Sequence, residues 1–174
     1  MTIYRFTAAS GRIRWTIFML GTVLMGMGCG SKSPEELFAA AESAAADSSS
    51  REQAVEDLDA FLDQYPRHES SARARKLLAV LAQQAGDARN AIEHYERLLL
   101  DYPRSEYGAE AQFMIAYIHE EYLKDLEGAR SAYQRVIDNF PESDLAKSAR
   151  YLLPNLGRDP EEWVKFGDDG EVEN

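Results

Sequence analysis

The sequence predicts an all-α fold, a short right-handed solenoid of about three helix pairs closed by a capping helix. Three observations predict it. Aromatic–proline breaks recur at Tyr65-Pro66, Tyr102-Pro103 and Phe140-Pro141, with the prolines 37 and then 38 residues apart. Ala, Leu, Glu, Arg and Gln dominate residues 34–156, and the alternating β-branched runs of strands are missing. Around each break the same residue types return in the same register, which marks a repeat array rather than a chance spacing.

The elements follow in order. Ser33-Pro34-Glu35-Glu36 places Ser at an N-cap, Pro at the first helical position and Glu at the third, so a helix starts at 34 with a capping-box pair Ser33/Glu36. It runs to about residue 46 and is a degenerate first helix, without the repeat register. Ser48-Ser49-Ser50 then breaks the chain, and a helix over 51–64 completes the first unit. Twelve residues before each proline lies Ala54, Ala91 or Ala129, and eight before it Leu58, Tyr95 or Tyr133. Eight residues after it come Ala74, Ala111 or Ala149, followed by Leu77/Leu78, Met114/Ile115 or Leu152/Leu153. The small residue lets two helices approach, and the bulky one fills the space between units. Turns inside the units fall at Ala85-Gly86-Asp87 and Leu123-Lys124-Asp125, where one extra residue accounts for the 38-residue step. Proline ends each second helix because it lacks an amide proton and biases its predecessor away from helical angles.

Ala, an aromatic four residues on and Pro eight further resembles the second half of the tetratricopeptide repeat, over residues 51–156. The repeat-type domain is placed at 33–157. Beyond it, Asp159-Pro160 opens another short helix with Trp163, expected to cap the apolar end of the stack. The acidic stretch that follows carries four acids and no base from Gly167 to Asn174, giving a 158–174 tail.

The amino terminus reads differently. Residues 1–28 hold Arg5, Arg12 and Arg14 with no acid, then a run from Thr16 to Gly28. As a helix that run spans about 20 Å, too short for a ~30 Å hydrocarbon core but suited to a signal peptide. The only cysteine, Cys29, follows it directly. The arrangement resembles the lipobox of bacterial lipoproteins, with Gly28 in place and Gly26 where the family usually carries Leu. That resemblance implies lipidation of Cys29 with a palmitate-type anchor, and Gly30 in place of Asp implies the outer membrane. Residues 29–32 then make a tether of only ~14 Å before the first helix. An ordinary signal peptide with Cys29 cut away is the plainer alternative.

Composition bounds the rest. With 30 acidic and 19 basic residues the net charge is −11, which argues against nucleic-acid binding. One cysteine permits no internal disulfide and no thiolate zinc site. No catalytic residue, metal site, cofactor motif or small-molecule substrate is indicated. His68, His94 and His119 stand one per unit at different register positions and are read as solvated surface. Paired acids such as Glu120/Glu121 read as helix-surface charge.

A partner surface is the remaining expectation. The first helices of helix-pair solenoids line one face, and equivalent positions there carry Arg73 and Lys76, then Phe113 and Tyr117, then Tyr151. A basic pair beside an aromatic stripe suits a peptide with acids and apolar anchors. The same aromatics at helical spacing suit packing between helices equally well.

Signal, cysteine, tether and lengthened repeats together resemble two families of envelope proteins. One is BamD, the lipoprotein of the outer-membrane β-barrel assembly machinery, though this chain is shorter than a five-repeat BamD. The other is CpoB (YbgF), the Tol-Pal-associated repeat protein, whose leading coiled coil is missing here. The resemblance implies an outer-membrane-anchored periplasmic adaptor that binds envelope proteins or peptides, or else a self-assembling structural protein of the envelope.

Overall fold

A computed structural model describes residues 32–158, and the expectations for Cys29, the signal segment and Trp163 fall outside these residues. Seven α-helices follow one another among the described residues: α1 Pro34–Ala46, α2 Arg51–Gln64, α3 Ser71–Gln84, α4 Ala88–Asp101, α5 Gly108–Glu121, α6 Leu126–Asn139 and α7 Asp144–Leu152. A 3₁₀ turn over Ser48–Ser50 joins α1 to α2, and another over Leu153–Asn155 follows α7. Each helix packs on its successor, α1 also packs on α3, and α5 on α7. This is a tetratricopeptide-like array of three helix pairs, with α7 as the added helix.

Local chemistry sets the boundaries. The Ser33 hydroxyl accepts from the Glu36 amide at 3.2 Å, and the Glu36 carboxylate accepts from the Ser33 amide at 3.0 Å, completing the capping box. Asp87 and Asp125 cap α4 and α6, accepting from the amides of Asn90 and Gly128. Helices α2, α4 and α6 stop at the aromatic before each proline. Tyr65, Tyr102 and Phe140 donate their amides to Phe61, Leu98 and Val136 and then leave helical angles. The turn between α3 and α4 uses Gly86 at φ +79°; its counterpart between α5 and α6 puts Lys124 at φ +53°.

The repeat register is the core. Ala54, Ala91 and Ala129 are fully buried, and so, to within 1% exposure, are Leu58, Tyr95 and Tyr133. Ala74, Ala111 and Ala149 face them from the first helices. Two buried clusters result, one built on Phe38, Leu58, Phe61 and Leu78, the other on Tyr95, Leu98, Ile115, Tyr133 and Val136. Helix α3 contributes to both, with Leu78 and Leu81 on one side and Ala79 and Ala82 on the other. Each large side chain so buried contributes about 1.5–3 kcal/mol.

The aromatic–proline loops also tie one unit to the next. The Tyr102 hydroxyl donates to the Pro66 carbonyl at 3.1 Å, one repeat upstream. Phe140 has no hydroxyl, and its ring instead closes on Gly108, where an added Cβ would meet ring carbons at 3.0 Å.

Candidate functional site

The first helices α3, α5 and α7 carry the expected partner residues, and the structure treats those residues unequally. Arg73 forms an ion pair with Glu42 of α1, and its guanidinium lies 5.7 Å from the Phe38 ring centroid. Lys76 Nζ lies 2.6 Å from Glu110 Oε2 on α5 and 4.7 Å from the Tyr107 ring centroid. The two cations are therefore bridges between successive first helices. A partner carboxylate would have to displace Glu42 or Glu110. Both pairs are partly solvated, so each contributes at the modest level of surface bridges, about 0–1 kcal/mol.

The aromatics divide as well. Phe113 packs edge-on to Tyr133, centroids 5.3 Å apart, and belongs to the flank of the core. The Tyr133 hydroxyl donates to Glu120 at 2.9 Å, which joins α6 to α5. Burial, with Glu120 beside it, pushes the Tyr133 phenol up. Tyr117 is 37% exposed and meets Tyr122 at 6.1 Å, and Tyr151 on α7 is 58% exposed. Of the five expected residues, only Tyr117 and Tyr151 present a large apolar surface outward.

The histidines correct the solvated-surface reading. All three are half-buried, and each bonds a neighbour. His68 Nε2 lies 3.2 Å from Glu35, fastening the 65–70 loop to α1. The Glu35 carboxyl falls to about 2, held first by the Ser33 hydroxyl, then by its own backbone amide and by His68. His119 Nδ1 lies 3.0 Å from Asp125, joining α5 to the cap of α6. The Gly128 amide, more than His119, holds Asp125 below the usual carboxylate range. His94 faces Arg75 at 3.4 Å, and burial followed by that cation pushes its pKa down.

Sequence reasoning did not find a groove that two of the aromatic–proline loops form between them. A groove of about 630 Å³ lies between the 65–70 and 101–107 loops, with His68, Arg73, Tyr102, Arg104 and Tyr107 among its walls. The signal was available, because both walls are aromatic–proline loops in equivalent register. The acids facing Arg73 and Lys76 were harder to find, since Glu42 and Glu110 lie 31 and 34 residues away and follow no period.

Among the described residues no group of three or more His, Cys, Asp or Glu is placed to hold a metal ion. Within the same residues no helix is long and apolar enough to cross a membrane.

A family model described as an outer membrane lipoprotein (YfiO) matches residues 38–125, about half of the chain, from α1 to the end of the turn after α5. A second, described as a tetratricopeptide repeat, matches residues 110–143, covering α5, α6 and the Phe140-Pro141 break. No curated protein matches the chain.

Proposed function

The chain belongs to the outer membrane lipoprotein family of tetratricopeptide type, and from that premise we propose that it is an adaptor of outer-membrane β-barrel assembly. In this reading Cys29 carries the lipid, and the repeat body works on the periplasmic side of the outer membrane. The family match over residues 38–125 carries the proposal. The sequence supports it at its start. Only Gly30, Ser31 and Lys32 separate Cys29 from the Ser33 cap, so an anchored body stays within ~14 Å of its lipid.

Tyr117 and Tyr151 are the residues that meet the partner. Exposed tyrosines bring apolar area and a hydroxyl at low entropic cost, which suits an extended or helical peptide. Phe113, packed on Tyr133, belongs to the core flank and not to this surface. Arg73 and Lys76 take part only where a partner acid replaces Glu42 or Glu110.

Two measurements test this reading. Mass spectrometry of the mature amino terminus is expected to find a diacylglyceryl-modified Cys29, and cleavage elsewhere overturns the anchor. A photo-crosslinking residue at position 117, activated in intact envelopes, is expected to capture components of β-barrel assembly. Capture of Tol-Pal components instead overturns the assembly role while leaving the adaptor fold untouched.

A further inference from the structure

Six large apolar side chains stand exposed among the described residues. Five of them, Tyr117, Tyr122, Leu123, Leu126 and Tyr151, belong to the end of α5, the turn after it, the start of α6 and α7. Leu100 is the sixth and stands apart on α4. Such clustering is unlike the single exposed leucines that any soluble protein carries.

The chain meets this patch at Leu126. At Gly157, φ is +79°, and an added Cβ would lie 2.7 Å from Leu126 Cδ1. The backbone thus crosses the Leu126 side chain just before residue 159. The sequence that follows is Asp159-Pro160-Glu161-Glu162-Trp163-Val164-Lys165-Phe166. Its helix-start signal is followed by Trp163 and Phe166 three residues apart, on one face of a helix.

We propose that residues 160–166 are the occupant of this patch, seating Trp163 and Phe166 against Leu123, Leu126 and Tyr122. Reach permits it, because six residues from Gly157 to Trp163 span about 9 Å as helix and about 20 Å extended. Tethering favours it. A covalently attached segment acts at an effective concentration of order millimolar, and it avoids most of the entropy that a free partner loses on docking. A second copy is disfavoured, since it would bring together two chains of net charge −11. The inference stands independently of the assembly role.

The chain provides its own probe. Its two tryptophans are Trp15 and Trp163, so Trp15→Phe leaves Trp163 as the sole emitter. In the full chain carrying Trp15→Phe, in non-ionic detergent, Trp163 emission is expected to be blue-shifted from its denatured position. Acrylamide should quench it several-fold less than in denaturant. Leu123→Gln with Leu126→Gln should return both values toward the denatured ones. Both leucines are more than a third exposed, so the helical melt of this variant should shift by only a few degrees.

Three results overturn the proposal. Native emission at the denatured position shows an undocked segment. A blue shift that survives both glutamines places Trp163 elsewhere, in the micelle or on another surface. A shift that grows with protein concentration makes a second copy the occupant.

Discussion

The α3/α4 and α5/α6 pairs are built on one frame and present opposite surfaces. Both bury Ala, Tyr and Ala at equivalent positions, Ala91, Tyr95 and Ala74 in one and Ala129, Tyr133 and Ala111 in the other. On the α3 face, however, Arg73 and Lys76 are held by Glu42 and Glu110 from the helices on either side. On the α5 face Phe113 stands where α3 has Lys76 and Tyr117 where it has Val80, and Tyr122, Leu123 and Leu126 beyond them are exposed. Frame positions thus fix how helices stack, while the positions between them decide what a unit offers. The middle pair is fastened to both its neighbours, and the last pair presents exposed apolar side chains.

The sharpest way to break the frame is at its aromatic. Tyr133 is fully buried and packs against Phe113, so Tyr133→Ala should cost about 3–5 kcal/mol, read as a large drop in the thermal midpoint by circular dichroism. Tyr133→Phe should cost about 1 kcal/mol, because Glu120 is half-exposed and can turn to water when it loses the hydroxyl. Equal losses in the two variants would mean that the hydrogen bond, and not the ring, holds α5 to α6.

Phe113 and Tyr117 separate frame from surface within one helix. Phe113→Ala is expected to cost about 2–3 kcal/mol, somewhat less than a fully buried aromatic. Tyr117→Ala should stay within about 0.5–1 kcal/mol of the parent while reducing partner capture. Chemical denaturation of each single variant, beside the crosslinking yield, checks the pair. A Tyr117→Ala loss as large as that of Phe113→Ala would place both in the core.

Much of this was legible before any coordinates. The three breaks, the helix start at Ser33, the turns ending at Asp87 and Asp125, and the buried Ala/aromatic register all follow from local chemistry and its repetition at a fixed period. Side-chain partners across units do not repeat. Nothing in the period says that Arg73 turns to Glu42 or that His68 reaches back to Glu35, because such pairs depend on which residue the neighbouring helix happens to present. The exposure of Tyr117 against the burial of Phe113 was likewise undetermined, since four residues on a helix move a side chain about 40° around the axis.

The α3/α4 pair also carries a pH dependence near neutrality, through His94. Burial and Arg75 lower the pKa of His94 below 6.5, so the folded protein favours the neutral ring. The unfolded chain then binds the proton more readily. Stability from this residue is full above about pH 6.5 and is lost as pH falls through the folded value. His94→Gln should flatten the melting-temperature profile on the acid side of neutrality. The loss below the usual carboxylate range, where Glu35 and Asp125 gain protons, should persist in that variant.

The smallest difference lies in the two turns. Gly86 closes its turn with the Asp87 amide bonded to the Ala82 carbonyl at 2.9 Å, while the longer turn bonds the Asp125 amide to the His119 carbonyl at 2.8 Å. The extra residue requires a left-handed position there too, and Lys124 occupies it at φ +53°. A side chain in that region costs about 1–2 kcal/mol, against about 0.4–1 kcal/mol of extra unfolded-state freedom for glycine. The exposed Lys124–Glu121 pair adds little to either side. Lys124→Gly should therefore stabilise by about 0.5 kcal/mol. Gly86→Ala, with open space around the added methyl, should destabilise by about 1 kcal/mol through backbone strain alone. Opposite signs for these two substitutions in one denaturation series would show that both turns need a left-handed residue, supplied by glycine in one and by lysine in the other.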